Sequence, residues 1–368
     1  MTRAFADIDL GAIRANTAHL QALAGPAQLC AVVKANGYGH GAVRCAQAAQ
    51  AAGASWLATA QAGEGAELRL AGLEGPILLL SEPLPSEDDV VFSADLAVVV
   101  YRAEAIDRLN RAAIARRRRL AVHLKIDTGM HRLGAPPEQA LELAAAIQAS
   151  EGLQFEGFMT HLAVADEPVR PETALQLERF AAALAELDKA GLRPPLVHAA
   201  NSAGLIVHPA ARFDLVRAGI ALYGIAPGPG LGAGLQAALR LSAPVTYVRS
   251  VGAGEGVSYG LRGHTTRPTV LATLAIGYAD GVRRSLGLNG GEVLINGQRC
   301  PMIGVVTMDQ LVVDVGDAGT VAVGDEAVLL GEQGGDRIDP QEWAERLDTI
   351  AYEIVTGLGA RVERRYHG

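Results

Sequence analysis

Aromatic residues make up only 4% of this sequence, with Trp, Met and Cys present 2, 5 and 3 times. So few large rings leave packing to aliphatic and small residues, which suit close helix-on-strand contact. The three cysteines, Cys30, Cys45 and Cys300, are an odd count at unrelated spacings. They form neither a zinc pattern nor a disulfide framework, which fits a reducing compartment. No metal site is expected. No apolar run approaches the roughly 20 residues needed to span a bilayer, and Met1 to Asp7 lacks the apolar core of a signal peptide. The expectation is a soluble, cytoplasmic protein without a membrane partner. Net positive charge is also lacking. At −8 the chain has no global attraction to nucleic acid. Its one basic run, Arg116 to Arg119, reads as a solvated helix end before the strand Leu120-Ala121-Val122.

What is present is ample core. Hydrophobic residues are 49% of 368, enough for two domains. Phe5 to Leu10 alternates like a half-buried strand, and Ile13 to Leu23 reads as a helix stopped by Gly25-Pro26. An alternation of apolar strands and alanine-rich helices follows. The strands fall at Leu29–Val33, Trp56–Thr59, Ile77–Leu80, Leu96–Val100, Leu120–Ile126, Phe155–Thr160, Leu196–Ala199 and Phe213–Val216. Eight strand–helix units fit a closed (β/α)8 barrel, although a doubly wound sheet has the same periodicity. The polar residues favour the barrel. Lys34, Lys125, His161, Asn201 with Ser202, and Arg217 each fall at or just past a strand end, and in a barrel those ends converge on one face.

Gly224 to Gly234 holds enough glycine and proline to read as a linker. Beyond it the character becomes all-β, with short runs at Leu239–Val251, Val270–Ile276, Gly291–Ile295, Gln310–Val315 and Ala327–Leu330. Pro340 to Leu347 reads as a helix. The expected class is α/β: a TIM-like barrel over 11–230 and a β-rich C-terminal domain over 231–368, the latter joined by the N-terminal strand 1–10.

The most specific stretch is Ala31-Val32-Val33-Lys34-Ala35-Asn36-Gly37-Tyr38-Gly39-His40-Gly41. A buried strand delivers one amine to its end, and a glycine-rich turn lets backbone approach a ligand. Free lysine is a poor nucleophile near neutrality, and burial makes it a better one. The stretch resembles the pyridoxal-phosphate (PLP) lysine motif of alanine racemases, in which the lysine forms the Schiff base. The resemblance continues through His123-Leu124-Lys125-Ile126-Asp127-Thr128-Gly129-Met130-His131-Arg132-Leu133-Gly134, Asn201-Ser202-Ala203-Gly204, Arg217 with Gly219-Ile220, Val257-Ser258-Tyr259-Gly260, Gly277-Tyr278-Ala279-Asp280-Gly281 and Val306-Thr307-Met308-Asp309.

The resemblance implies roles. Lys34 carries the cofactor and then acts as a base on one face of the substrate Cα. Tyr259 is the base on the other face, aided by His161 and Arg217. Tyr38, Asn201, Ser202, Gly219 and Ile220 bind the cofactor phosphate. Arg217 faces the pyridine nitrogen and, staying cationic, leaves that nitrogen unprotonated. Arg132 contacts the cofactor's phenolic oxygen and the substrate carboxylate. Lys125 matches a lysine carbamylated in several members. Tyr278 lines the substrate entrance, and Met308-Asp309 places a backbone N–H near the substrate carboxylate. Tyr259, Tyr278, Met308 and Asp309 come from the partner subunit, so a homodimer with shared active sites is implied. One departure stands near the C-terminus. Some members carry a phosphate-binding tyrosine before an Arg-Val pair, and here Ala360 precedes Arg361-Val362.

The implied activity is interconversion of L- and D-alanine by a two-base PLP mechanism, supplying D-alanine for peptidoglycan. A racemase of broader specificity is one alternative. A decarboxylase on the same architecture would put an acidic residue where Arg217 stands. A non-catalytic PLP carrier would end after the barrel.

Overall fold

The structure, a computed structural model, describes residues 4–368. Residues 1–3, part of the expected strand 1–10, lie outside them. The chain divides into two compact units, one of residues 12–236, the other of the N-terminal residues through Gly11 with Ala237–Gly368.

Strand β1 (Phe5–Asp9) opens the chain, with Ala6 and Ile8 fully buried. It runs directly into the helix Leu10–Ala24, longer than the expected 13–23 and stopped at Gly25, whose φ is +65°. The barrel strands follow: β2 (Gln28–Val32), β3 (Trp56–Thr59), β4 (Ile77–Leu79), β5 (Ala97–Val100), β6 (Leu120–Lys125), β7 (Leu153–Met159), β8 (Leu196–His198) and β9 (Leu215–Ala218). Every neighbouring pair in the order β8-β7-β6-β5-β4-β3-β2-β9 is parallel. The remaining gap is bridged by backbone bonds from Asp214 N to Val197 O (3.0 Å) and from Arg217 N to Ala200 O (3.1 Å). The result is a nearly closed eight-stranded barrel. Its strands are covered on both faces, which is why β3 and β5 are buried throughout and read as continuous apolar runs.

The eighth strand differs from expectation. It begins at Leu215 rather than Phe213, because Phe213 has a left-handed φ of +45° and belongs to the preceding turn. Arg217 therefore sits within β9, not past its end. The segment expected as a linker is pinned at both flanks by fully buried Asn16. The Asn16 amide donates to Leu222 O (2.9 Å) and Gln236 O (2.8 Å), and its Oδ1 accepts from Gln236 N (2.7 Å).

The second unit is built on β10 (Leu239–Val251), which pairs antiparallel with β1, Thr269–Leu274 and Glu326–Gln333. Leu311–Asp314 extends the sheet beside Thr269–Leu274, and Glu292–Ile295 forms a hairpin with Gln298–Pro301. Thus Val270–Ile276, Gly291–Ile295 and Gln310–Val315 shift or shorten, while Ala327–Leu330 lengthens to Glu326–Gln333. The helix Pro340–Arg346 is capped by Asp339, whose Oδ1 accepts from Glu342 N (3.0 Å). Among the elements not expected are the strand Gln298–Pro301, the helix Ala351–Thr356 and the strand Glu363–His367, which lies parallel to β1. No helix among the described residues is long and apolar enough to cross a membrane.

Candidate active site

The barrel unit gathers its polar groups around the turn after β2. Val33 N donates to Ala58 O (2.9 Å), which holds the strand in register up to Lys34. The chain then does something rare. Ala35, Asn36, Gly37, Tyr38 and Gly39 all have positive φ, from 51° to 84°, making a turn of left-handed helix. For each of the non-glycine residues that conformation costs roughly 1–2 kcal/mol. Local bonds hold it: Glu64 Oε1 accepts from Ala35 N (2.6 Å), Asn36 Oδ1 accepts from Ala42 N (3.0 Å), and Gly39 N donates to Ala35 O (3.0 Å). The turn buries Tyr38 against Tyr223, ring centroids 5.2 Å apart.

Lys34 is half-buried at the head of this turn. Burial lowers its pKa, the charges of Arg132 and Arg217 lower it further, and Glu64 opposes. A larger fraction of its amine is therefore the free base, the nucleophilic form. Lys125, the last residue of β6, is pulled down to about 8, by burial first and then by Arg217 and Arg132.

The loop after β6 doubles back on the strand end. Ala135 N donates to Lys125 O (2.9 Å) and Asp127 N to Ala135 O (2.8 Å). Asp127 Oδ1 accepts the N–H groups of Gly129, Met130 and His131 at 2.9–3.0 Å. Burial opposes ionisation of Asp127, but these donors outweigh it and hold the carboxyl below its usual range. The loop presents Arg132 exposed, with its charge felt at Lys34, Lys125 and His161.

Arg217 is 3% exposed and, among the described residues, touches no carboxylate. Its Nη1 lies 2.8 Å from His198 Nδ1. Its Nη2 donates to Thr160 O (2.9 Å) and Ala199 O (3.0 Å) and lies 3.2 Å from His161 Nδ1. Burial without a counter-ion draws its pKa down to about 10, still a cation at neutral pH. The imidazole of His161 is held well below its ordinary pKa, by burial first and then by Arg217. Nη2 has two hydrogens for these three acceptors, so its contact with His161 is a shared bond. Since arginine only donates, Nδ1 of neutral His161 is on the accepting side and its proton resides on Nε2.

The loops after β8 and β9 meet at Ser202. Asn201 is the N-cap of the helix Ser202–Val207, its Oδ1 accepting from Gly204 N (2.9 Å). Ser202 Oγ accepts from Gly219 N (2.9 Å) and Ala221 N (3.4 Å), so its O–H remains a donor. An ideal Cβ at Gly219 would lie 2.5 Å from Tyr38 Oη; the missing side chain is what admits the tyrosine hydroxyl. Ile220 heads the turn Ile220–Tyr223 and has no acceptor for its N–H inside it.

The other sequence-singled residues belong to the second unit. Tyr259 is 72% exposed, in a turn set by Ser258, whose φ is 63° and whose Oγ donates to Val305 O (2.7 Å). Two loops interlock where Tyr278 N donates to Thr307 O (2.9 Å) and Ala279 N to Met308 O (3.0 Å). A side chain on Gly277 would overlap the carbonyls of Thr307 and Met308. Tyr278 and Met308 are 42% and 52% exposed. Arg361 ties the group together, reaching Asp309 Oδ1 at 2.7 Å and the buried Asp280 at 3.1 Å.

Sequence reasoning passed over His198, Glu156 and Glu64, and gave no role to His123 within its motif. A histidine or glutamate in a strand or first helical turn carries no local signal of what it will touch.

Comparison with known proteins follows the same outline. The family model described as alanine racemase, N-terminal domain, matches residues 8–227, and that of the C-terminal domain matches 238–366. The alanine racemase of Symbiobacterium thermophilum is 48% identical over 370 residues, covering 100% of this chain and 98% of the relative. That of Mycobacterium tuberculosis is 44% identical, over 98% of this chain and 94% of its own. Among solved structures, alanine racemase from D-cycloserine producing Streptomyces lavendulae superposes with a TM-score of 0.94 at 44% identity, over 100% of this chain and 98% of that one. The alanine racemase from Bacillus anthracis with bound L-Ala-P gives 0.92 at 35% identity, over 100% and 96%. The chain belongs to the alanine racemase family.

Proposed function

We propose that this chain interconverts L- and D-alanine with pyridoxal phosphate, as a cytoplasmic homodimer in which the partner subunit's Tyr259 completes each site, and so supplies D-alanine for peptidoglycan. The observation that carries the reading is a Lys34 amine whose charged form is disfavoured by burial and by the nearby Arg132 and Arg217, with Arg217 itself buried and, among the described residues, without a carboxylate partner.

The barrel residues fit the cofactor. The Tyr38 and Ser202 hydroxyls both border Gly219, and with the Ile220 N–H they are groups suited to a phosphate. Asn201 holds the Ser202 turn in shape. Arg217 spends Nη1 and Nη2 on protein acceptors, and among the described residues its Nε–H finds none; that donor suits an unprotonated ring nitrogen. When bound, pyridoxal phosphate supplies the electron sink that makes a substrate Cα proton acidic.

The chain's own groups then divide the work. Lys34 holds the cofactor and moves the Cα proton on the face used for D-alanine. Tyr259 Oη moves it on the opposite face, for L-alanine. A free phenol has a pKa near 10, so it needs stabilisation of its anion to act as a base. The Nε2–H of neutral His161, backed by the Arg217 cation, is suited to that. Arg132 pairs with the substrate carboxylate, the Met308-Asp309 backbone offers it an N–H, and Tyr278 lines the way in. Lys125 at about 8 exposes enough free amine to take up carbon dioxide with loss of a proton, which turns a cation beside Arg132 into an anion that orients it.

The test is conversion of L-alanine by purified, PLP-loaded protein in deuterated water. D-Alanine with deuterium at Cα is expected. Absence of any exchange from protein that binds PLP would overturn the reading. Deuterium uptake with retained L configuration would mean that one base removes and returns the proton on the L face, which would overturn the two-base assignment.

A further inference from the structure

A second set of buried hydrogen bonds leaves Arg217 in the direction away from Lys34. Arg217 Nη1 donates to His198 Nδ1 (2.8 Å). Because a guanidinium has only donors, neutral His198 carries its proton on Nε2. That nitrogen lies 2.9 Å from His123 Nδ1, which must accept, so His123 also carries its proton on Nε2. His123 Nε2 lies 3.4 Å from Glu156 Oε2. The series runs from a cation to a carboxylate through two neutral imidazoles, and each tautomer is dictated by the one before. Both histidines are 0% exposed, and burial, ahead of every other influence, disfavours their charged forms.

Two independent features of β7 serve this series. An ideal Cβ on Gly157 would overlap His123 Nδ1, so only glycine leaves room for the ring. The register of β6 on β7 also slips there. Val122 pairs with Phe155 and His123 with Gly157, leaving Glu156 without an opposite residue. Such a bulge re-aims the side chain of the extra residue. Glu156 lines a cleft of about 720 Å³ with Arg119, Leu120 and Gln154, where strands begin. Residues at that face of a barrel ordinarily serve stability alone.

We propose that Glu156 and His123 are positioning residues: through His198 they fix the hydrogen-bond polarity that holds the Arg217 guanidinium in its catalytic orientation. The consequence for turnover rests on the racemase reading; the polarity itself does not. Without an acceptor at residue 156, His123 is free to place its proton on Nδ1. That proton opposes His198 Nε2–H. If His198 reverses in turn, its Nδ1–H opposes Arg217 Nη1–H and the guanidinium must move. Glu156→Gln keeps an acceptor oxygen. Glu156→Leu does not.

The experiment uses PLP-loaded enzyme labelled with 15N at histidine. Long-range proton–nitrogen correlation reads which ring nitrogen bears the proton in His123 and His198. The expected wild-type pattern is Nε2–H in both. In Glu156→Leu the pattern of His123 changes and kcat for alanine falls about tenfold, the effect of losing one net hydrogen bond at the site, with KM within about twofold. Glu156→Gln stays within about twofold of wild type in both constants. A wild-type His198 protonated on Nδ1 overturns the proposal, and this result needs no variant to fold. So does a Glu156→Leu enzyme with wild-type pattern and rate. A wild-type protein that shows the expected tautomers yet does not racemise alanine sinks the functional reading and leaves the polarity standing.

Discussion

Replacing Glu64 by glutamine tests how the strained turn at Lys34 is held. The Glu64 carboxylate accepts three backbone N–H groups: Ala35 (2.6 Å) on Oε1, and Ala60 (2.9 Å) and Gln61 (3.1 Å) on Oε2. It thus joins the turn after β2 to the start of the helix Ala62–Leu70, for which it is also the third residue of the capping box. Glutamine keeps one acceptor oxygen and turns an amide donor toward the remaining N–H groups. At least one charge-assisted bond is lost, worth about 1.5–3 kcal/mol. Since unfolding midpoints move by about 2–4 °C per kcal/mol in a unit of this size, Glu64→Gln is expected to lower the barrel's midpoint by roughly 3–12 °C in the cofactor-free protein. Burial, then Arg132, depresses the Lys34 pKa, and Glu64 opposes them. The same change therefore drives that pKa lower still, which a pH titration of Lys34 modification by an amine-selective reagent reads out. An unchanged midpoint together with an unchanged titration would refute the claim that Glu64 holds the turn.

Tyr259→Phe should lower racemisation by about 10²-fold or more, the usual yield of a positioned acid–base group, while the unfolding midpoint stays put because the side chain is exposed. Mixing Lys34→Ala and Tyr259→Ala proteins, each inactive alone, should restore up to about a quarter of wild-type activity if sites are shared across a twofold dimer; no recovery after confirmed subunit exchange counts against sharing. Gly219→Ala, with its Cβ directed at Tyr38 Oη, should raise the PLP dissociation constant about tenfold or more in a fluorescence titration. Lys125 has a folded pKa of about 8 against an ordinary 10.5. Between those values the unfolded chain binds a proton that the folded chain does not, so stability of the cofactor-free protein should rise with pH across that window. Lys125→Met should flatten the rise in denaturant titrations at successive pH values.

Much of the fold was legible because it rests on local repetition. Continuous apolar runs such as Ala97–Val100 signal strands covered on both sides, and the spacing between runs leaves room for a crossover helix. The eighth strand was displaced by two residues because nothing in Phe213 itself announces a left-handed φ. The last strand, Glu363–His367, was missed because its charged residues lack an apolar alternation, and parallel pairing with β1 supplies its order instead.

For the site, the sequence by itself put Lys34, Lys125 and His161 at or just past strand ends and Arg217 near one, and hence toward one face of the barrel. That follows from chain direction alone, since parallel strands bring their ends together. Only the tertiary structure decided how those groups are tuned. Ala35, Asn36 and Tyr38 take up a left-handed turn that their own preferences disfavour, because Glu64 and the packing of Tyr38 hold it there. Arg217 becomes a buried cation backed by histidines, and His123, Glu156 and Gly157 become one device, through a register slip between β6 and β7. Desolvation and hydrogen-bond polarity depend on what surrounds a group in three dimensions, and residues 123, 156, 198 and 217 meet only once the barrel has closed.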